Sequence, residues 1–221
     1  MIAFSNDGKN IAAISNDGEP KISFWFWEKA KLFCHQTVPI NINGTISEIH
    51  FHPNENNLIS VVGNGVFKTL KFHDGAFKAT STHRQENKSY LSHIWLSPKL
   101  ILLGTKEGKF FVSDDMELHN DWILISDNDM LSPIRTILQY GDSFIVGNGL
   151  GAVNIFERLD EKGIYRKTKE ILTNDQEIGV HSLTLSPSAE NFVVTLDNNQ
   201  VFGFSLASAE LLKVCQVKRP N

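Results

Sequence analysis

Short apolar runs alternate along the chain with turns rich in Asn, Asp and Gly, and the alternation itself recurs. The first run pair, residues 11–14 and 22–27, is rich in β-branched and aromatic side chains and flanks Asn16-Asp17-Gly18, a strong hairpin signal. A second unit has runs at 46–51, 58–62 and 66–72, with Gly63-Asn64-Gly65 before the last and His73-Asp74-Gly75 closing it. The third has 91–96, 100–103 and 109–112 around the turn 105–108. The fourth has 134–138, 143–146 and 152–156, and the fifth 180–185, 192–196 and 200–204. In 66–72, Phe67 and Thr69 alternate with Lys68 as in a half-buried strand, and Lys71 is also read as solvent-facing. No stretch carries a helical period. Equivalent anchors at Phe4, Phe51, Leu96, about Leu138 and Leu185 recur every 42 to 47 residues, the period of four-stranded blades.

The pattern predicts an all-β chain, a β-propeller of about five degenerate blades. The polar segments 76–89, 113–132 and 157–179 are expected to supply outermost strands and rim loops. Propellers close with typically four to eight blades, Met1 falls inside a first strand, and 207–221 reads as the start of a further connection. The expectation is therefore an incomplete ring over 1–206, marginally stable or self-associating through exposed blade edges.

Composition narrows the class. The net charge of −4, with acids and bases interspersed, provides no basic stripe for a phosphate backbone, so nucleic acid is not an expected partner. No basic leader with an apolar core opens the sequence, and no run of 18 apolar residues occurs, so the chain is read as neither secreted nor membrane-spanning. Two cysteines, Cys34 and Cys215, are too few for a disulfide framework and lack zinc-site pairing, in keeping with a reducing compartment. Asn43-Gly44-Thr45 and Asn87-Lys88-Ser89 match the glycosylation pattern, which stays silent in such a compartment.

Each candidate for chemistry meets a plainer reading. Gly147-Asn148-Gly149-Leu150-Gly151 has strands on both sides where a phosphate loop needs a following helix, so a hairpin is expected. His50 and His52 share one strand face by period two, with no cysteine or third acidic ligand in motif spacing, and are read as structural. Cys34-His35 places adjacent side chains on opposite faces, so they cannot form a dyad. Asp127-Asn128-Asp129 lacks the glycine and bidentate glutamate of a calcium loop. Trp25, Trp27, Phe67, Phe72, Phe110, Phe111, Phe202 and Phe204 are assigned to core packing between blades. No catalytic, cofactor or metal residues are predicted, and no cofactor.

Phe4-Ser5-Asn6-Asp7-Gly8-Lys9, Phe51-His52-Pro53 and Leu185-Ser186-Pro187-Ser188 stand where WD40 repeats carry their apolar-Ser-Pro-Asp-Gly turn, and the chain resembles that family. Trp27-Glu28, Phe72-His73 and Phe156-Glu157 replace its Trp-Asp pair, and its Gly-His pair is absent, which implies loss of the family's buried His–Asp network. A narrower resemblance rests on residues 27–32, 63–72, 90–95 and 104–111, and continues through Phe156-Glu157-Arg158 and Ile164-Tyr165-Arg166. These segments look like the cilia- and flagella-associated WD-repeat proteins of the axoneme. Such relatives carry two propellers and a long coiled coil and help position inner dynein arms on doublet microtubules; this chain matches part of the first propeller. The resemblance implies a non-enzymatic scaffold that binds dynein-arm or neighbouring axonemal proteins in the cilium. Two other readings stay open: a cytoplasmic WD40 adaptor of trafficking or ubiquitin ligation, and a propeller hydrolase. The hydrolase would need acidic residues at equivalent positions of several blades, and none is found.

Overall fold

The computed structural model describes residues 1–39, 45–80, 88–114, 117–119 (backbone only), 132–159, 164–173 and 177–217. Among the described residues the elements are strands, apart from one 3-10 turn at Trp27–Lys29. No helix among the described residues is long and apolar enough to cross a membrane. The strands form five antiparallel four-stranded sheets, each ordered as the chain runs. The first holds β1 (Ile2–Phe4), β2 (Asn10–Ser15), β3 (Lys21–Phe26) and β4 (Lys31–Thr37), and the second β5 (Ile46–Phe51), β6 (Leu58–Gly63), β7 (Val66–His73) and β8 (Ala76–Ala79). The third holds β9 (Tyr90–Trp95), β10 (Leu100–Thr105), β11 (Phe110–Asp114) and β12 (Glu117–His119). The fourth contains β13 (Ile134–Tyr140), β14 (Ser143–Asn148), β15 (Ala152–Arg158) and β16 (Tyr165–Leu172), and the fifth β17 (Val180–Leu185), β18 (Asn191–Leu196), β19 (Gln200–Ser205) and β20 (Leu211–Gln216).

The runs predicted from the pattern are the first three strands of the second to fifth sheets and β2 and β3 of the first. The fourth strands β8, β12 and β16 fall in the polar segments assigned to the rim, and residues 207–221, read as a connection, contain β20. Of these outer strands, β16 and β20 were hard to see because they are largely solvated. In β20 every residue is exposed, and in β16 exposed and half-buried positions alternate. By contrast β6, a central strand covered on both faces, is buried throughout, which its Leu-Ile-Ser-Val-Val-Gly sequence permits.

Two compact units divide the chain: Met1–Leu103 with Val112–Asn120, and Gly104–Phe111 with Asp121–Asn221. In the first unit the core joins Ile14, Ile22, Phe24, Ile49, Phe51, Ile59, Leu70 and Phe77, with Phe24 against Phe72 and Phe77 at 4.9 and 5.3 Å. In the second, Ile145, Val153, Val180, Leu183, Phe192, Val194 and Phe204 cluster, and Phe144 stacks on Phe156 at 5.0 Å. The aromatic assignment therefore holds for Phe67, Phe110, Phe111, Phe202 and Phe204, all buried, but Trp27 is a correction. It lies in the 3-10 turn, 46% exposed, edge-on to Phe4, where its indole N–H donates to the Gly8 carbonyl at 2.6 Å. Trp25 and Phe72 are half-buried.

Register shifts recur at one place in the first strand of three sheets: between Ile46 and Glu48, Ile134 and Thr136, and Val180 and Ser182. Such bulges re-aim the side chain that follows them. In β5 that side chain is Glu48. Stapled turns follow the first strand in three of the sheets. Ser5 Oγ accepts the Asn10 amide at 2.9 Å, and Ser186 Oγ accepts that of Asn191 at 3.2 Å. In the second sheet His52 takes this place, its Nδ1 accepting the amides of Asn54 and Glu55 at 3.1 and 3.0 Å.

Candidate functional site

Within the first unit, β5 and β9, the first strands of the second and third sheets, lie side by side. Glu48 and His50 alternate onto the same face of β5, and His93 comes from β9. Glu48 Oε2 lies 3.4 Å from His50 Nε2 and 3.0 Å from His93 Nδ1, and it accepts the backbone N–H of His93 at 2.6 Å. The two imidazoles meet edge to face at 4.7 Å. Behind His93, Nε2 lies 2.7 Å from Ser60 Oγ in β6, and that hydroxyl accepts the Trp95 indole N–H at 2.8 Å. The group thus runs from a half-exposed rim, with Glu48 and His50 side chains 26% and 38% exposed, to wholly buried His93 and Ser60.

The charges follow from this placement. Burial alone would raise the Glu48 pKa, but hydrogen bonds from His50 and His93 outweigh it and hold the carboxyl down at about 2, so the group is an anion. Burial lowers the His93 pKa against the opposing pull of Glu48, so the imidazole is neutral at neutral pH. Ser60, His93 and Glu48 have the hydrogen-bond order of a nucleophile, base and orienting acid. Yet Ser60 is wholly buried under Trp95, with no approach for a substrate carbonyl. The arrangement can instead hold a proton relay or a cation at its exposed end.

Sequence reasoning missed this cluster and misjudged its neighbours. The expected absence of an acidic partner near His50 is corrected, because Glu48 stands two residues earlier on the same face, a signal that was readable as Glu48-x-His50. His93 was not readable, since it lies 43 positions after His50 and only the stacking of sheets joins them. The pair His50 and His52 is split. β5 ends at Phe51, and the His52 ring is buried in the turn, its Nε2–H donating to the Pro98 carbonyl at 2.8 Å.

Other candidates fall where the plainer reading put them. Gly147–Gly151 is the β14–β15 hairpin, in which Asn148 Oδ1 accepts the amides of Leu150 and Ala152 at 3.0 and 2.9 Å. Cys34 is buried while His35 is exposed and bonds Ser23 at 2.7 Å. Asp127-Asn128-Asp129, Asn43 and Asn87 lie outside the described residues.

Five repeated four-stranded sheets, three of them with a stapled turn of the apolar-Ser or apolar-His type after the first strand, define a WD40-type β-propeller fold. Solved structures share this fold. The β-propeller domain of Cps50 (Swd1) from Myceliophteria thermophila superimposes with a TM-score of 0.79 at 10% identity, covering 99% of this chain and 73% of that one. Chaetomium thermophilum Raptor superimposes with a TM-score of 0.77 at 16% identity, covering 98% of this chain and 21% of that one. Among curated proteins the chain is similar to Cilia- and flagella-associated protein 57 of Mus musculus, 24% identical over 262 aligned residues, covering 96% of the chain and 21% of the relative. It is also similar to Cilia- and flagella-associated protein 57 A of Tetrahymena thermophila, 25% identical over 206 residues, covering 87% of the chain and 16% of the relative. The chain thus spans about a fifth of the length of these relatives. No family model matches it.

Proposed function

We propose that this chain is a WD-repeat segment of a ciliary or flagellar scaffold that helps position inner dynein arms on doublet microtubules and works by holding proteins rather than by catalysis. The observation that carries this reading is similarity to the cilia- and flagella-associated relatives over 96% of the chain in mouse and 87% in Tetrahymena. Repeat folds of this kind present broad binding surfaces, and the arm-positioning role extends the reading from those relatives' class to this chain.

An antibody raised against residues 1–221 tests it. The antigen is expected along axonemes and is expected to stay after detergent removes membrane and soluble matrix, because a scaffold docked on doublets is held by protein contacts. Moderately high salt should release it, since non-obligate interfaces have charged rims that salt screens. Co-release with inner-arm dyneins would support the finer role. Uniform cytoplasmic staining in ciliated cells would favour the adaptor of trafficking or ubiquitin ligation instead.

A further inference from the structure

We infer that Glu48, His50 and His93 are the protein ligands of a divalent transition-metal ion, zinc being the best fit, that clamps β5 to β9 and keeps one coordination position open at the surface. The inference is independent of the ciliary reading. Their ligand atoms all lie within 4.8 Å of one another. Bond lengths of about 2.0–2.1 Å to imidazole and carboxylate place the ligands of a tetrahedral ion about 3.3–3.4 Å apart. The two separations measured from Glu48 Oε2, 3.4 Å to His50 Nε2 and 3.0 Å to His93 Nδ1, lie within a few tenths of an ångström of that edge. Two imidazoles and one carboxylate suit a borderline ion and leave the fourth position free.

The groups behind the ligands fit as well. A metal-bound imidazole turns its other nitrogen to a fixed partner, and His93 Nε2 has one in Ser60. With Nδ1 on the ion, Nε2–H donates to Ser60 Oγ, which also accepts from Trp95, while the Ser60 hydroxyl proton points to the His50 carbonyl 3.4 Å away. The carboxylate is steadied by the His93 amide. An entry path exists because Glu48 and His50 reach solvent.

A competing arrangement needs no ion: His93 Nδ1–H donates to Glu48, and the Ser60 hydroxyl donates to Nε2. The two differ in the His93 tautomer and in what binding does to stability. The test uses the full chain, stripped with a chelator and titrated with zinc chloride, and separately with cobalt chloride. One equivalent of zinc should bind and raise the melting temperature, and cobalt should give the intense visible bands of a tetrahedral site. Because His93 is wholly buried, His93→Ala probes folding as much as binding, so the exposed ligand carries the test. His50→Ala should abolish the cobalt bands and the zinc-dependent rise while melting as the stripped parent does. No rise in melting temperature and no cobalt band in the parent at saturating metal would overturn the inference. Equal binding by His50→Ala would overturn it too, by placing the ion elsewhere.

Discussion

The same backbone position is solved in two ways in the two units. In the second sheet, the first and second strands pair His50 with Ser60; in the fourth sheet, the equivalent rung pairs Leu138 with Ile145. Around Ser60 the neighbouring sheet is met through hydroxyl, imidazole, indole and carboxylate. Around Ile145 the buried contact is an apolar cluster that joins Val180, Leu183, Phe192 and Leu138, with the Arg135–Asp197 ion pair at its exposed margin. The approach there is close enough that a Cβ on Gly147 would stand 2.5 Å from Val180 Cγ1. Blade stacking therefore does not demand one chemistry. The apolar version draws its stability from burial at every pH, whereas the polar version adds directional bonds that specify which strand sits where and exposes that specification to protons.

The largest test removes the centre of the polar version. His93→Ala should cost roughly 3–5 kcal/mol in chemical denaturation, because removing a wholly buried ring leaves a cavity and takes one hydrogen bond each from Glu48 and Ser60; a loss under about 1 kcal/mol would show that the network adds nothing the apolar contact lacks. Ile145→Ala, its apolar counterpart, should cost about 2–4 kcal/mol through lost burial and a cavity, and this loss should be the same under mildly acidic and neutral conditions.

The pH profile separates the two regions further. In metal-free protein the folded Glu48 titrates at about 2 against 4.5 for the free group, so its contribution is full above pH 4.5 and disappears as pH falls through about 2. Linkage makes that about 2 kcal/mol lost between roughly pH 6 and pH 3. Neutral His93, whose pKa is lowered by burial, acts in the same direction, because the unfolded chain takes up the proton first. His50 and His93 are the titratable groups facing Glu48. Glu48→Gln should flatten the acid limb, and an unchanged limb would remove Glu48 from the account. Next in size, Gly147→Ala should cost about 1–3 kcal/mol by overpacking against Val180 and Thr136. His50→Ala in the metal-free state should be smallest, within about 0.5 kcal/mol as befits a half-exposed side chain.

The unequal legibility of the chain has the same root. Apolar runs such as Phe144-Ile145-Val146 and Phe192-Val193-Val194 announce their strands because burial demands those residues wherever the strand packs. Turn residues were equally plain: Gly65 sits at φ 67°, a conformation that side chains with a Cβ resist, and the hairpin forms at Asn64-Gly65. Outer strands such as β20 carry no such demand, and 207–221 accordingly read as a connection. The polar cluster was hidden for a different reason. Glu48 and His50 were visible as a same-face pair, but Ser60, His93 and Trp95 look like ordinary strand residues until the third sheet is laid against the second. Hydrogen bonding across sheets has no period in the chain.

The turns after the first strands of the first two sheets carry a consequence for how the fold opens. The Asn6 side chain donates to the Pro53 carbonyl at 2.5 Å, and His52 donates to the Pro98 carbonyl at 2.8 Å, so each turn reaches the next. Arrays coupled only to nearest neighbours behave as one-dimensional chains of switches, in which a unit held at two junctions opens only by breaking both. The second sheet holds both hydrogen bonds, one to each side. Its amides should therefore exchange with solvent deuterium more slowly than those of the first, and β6 should be the last segment of this unit to give up its protons.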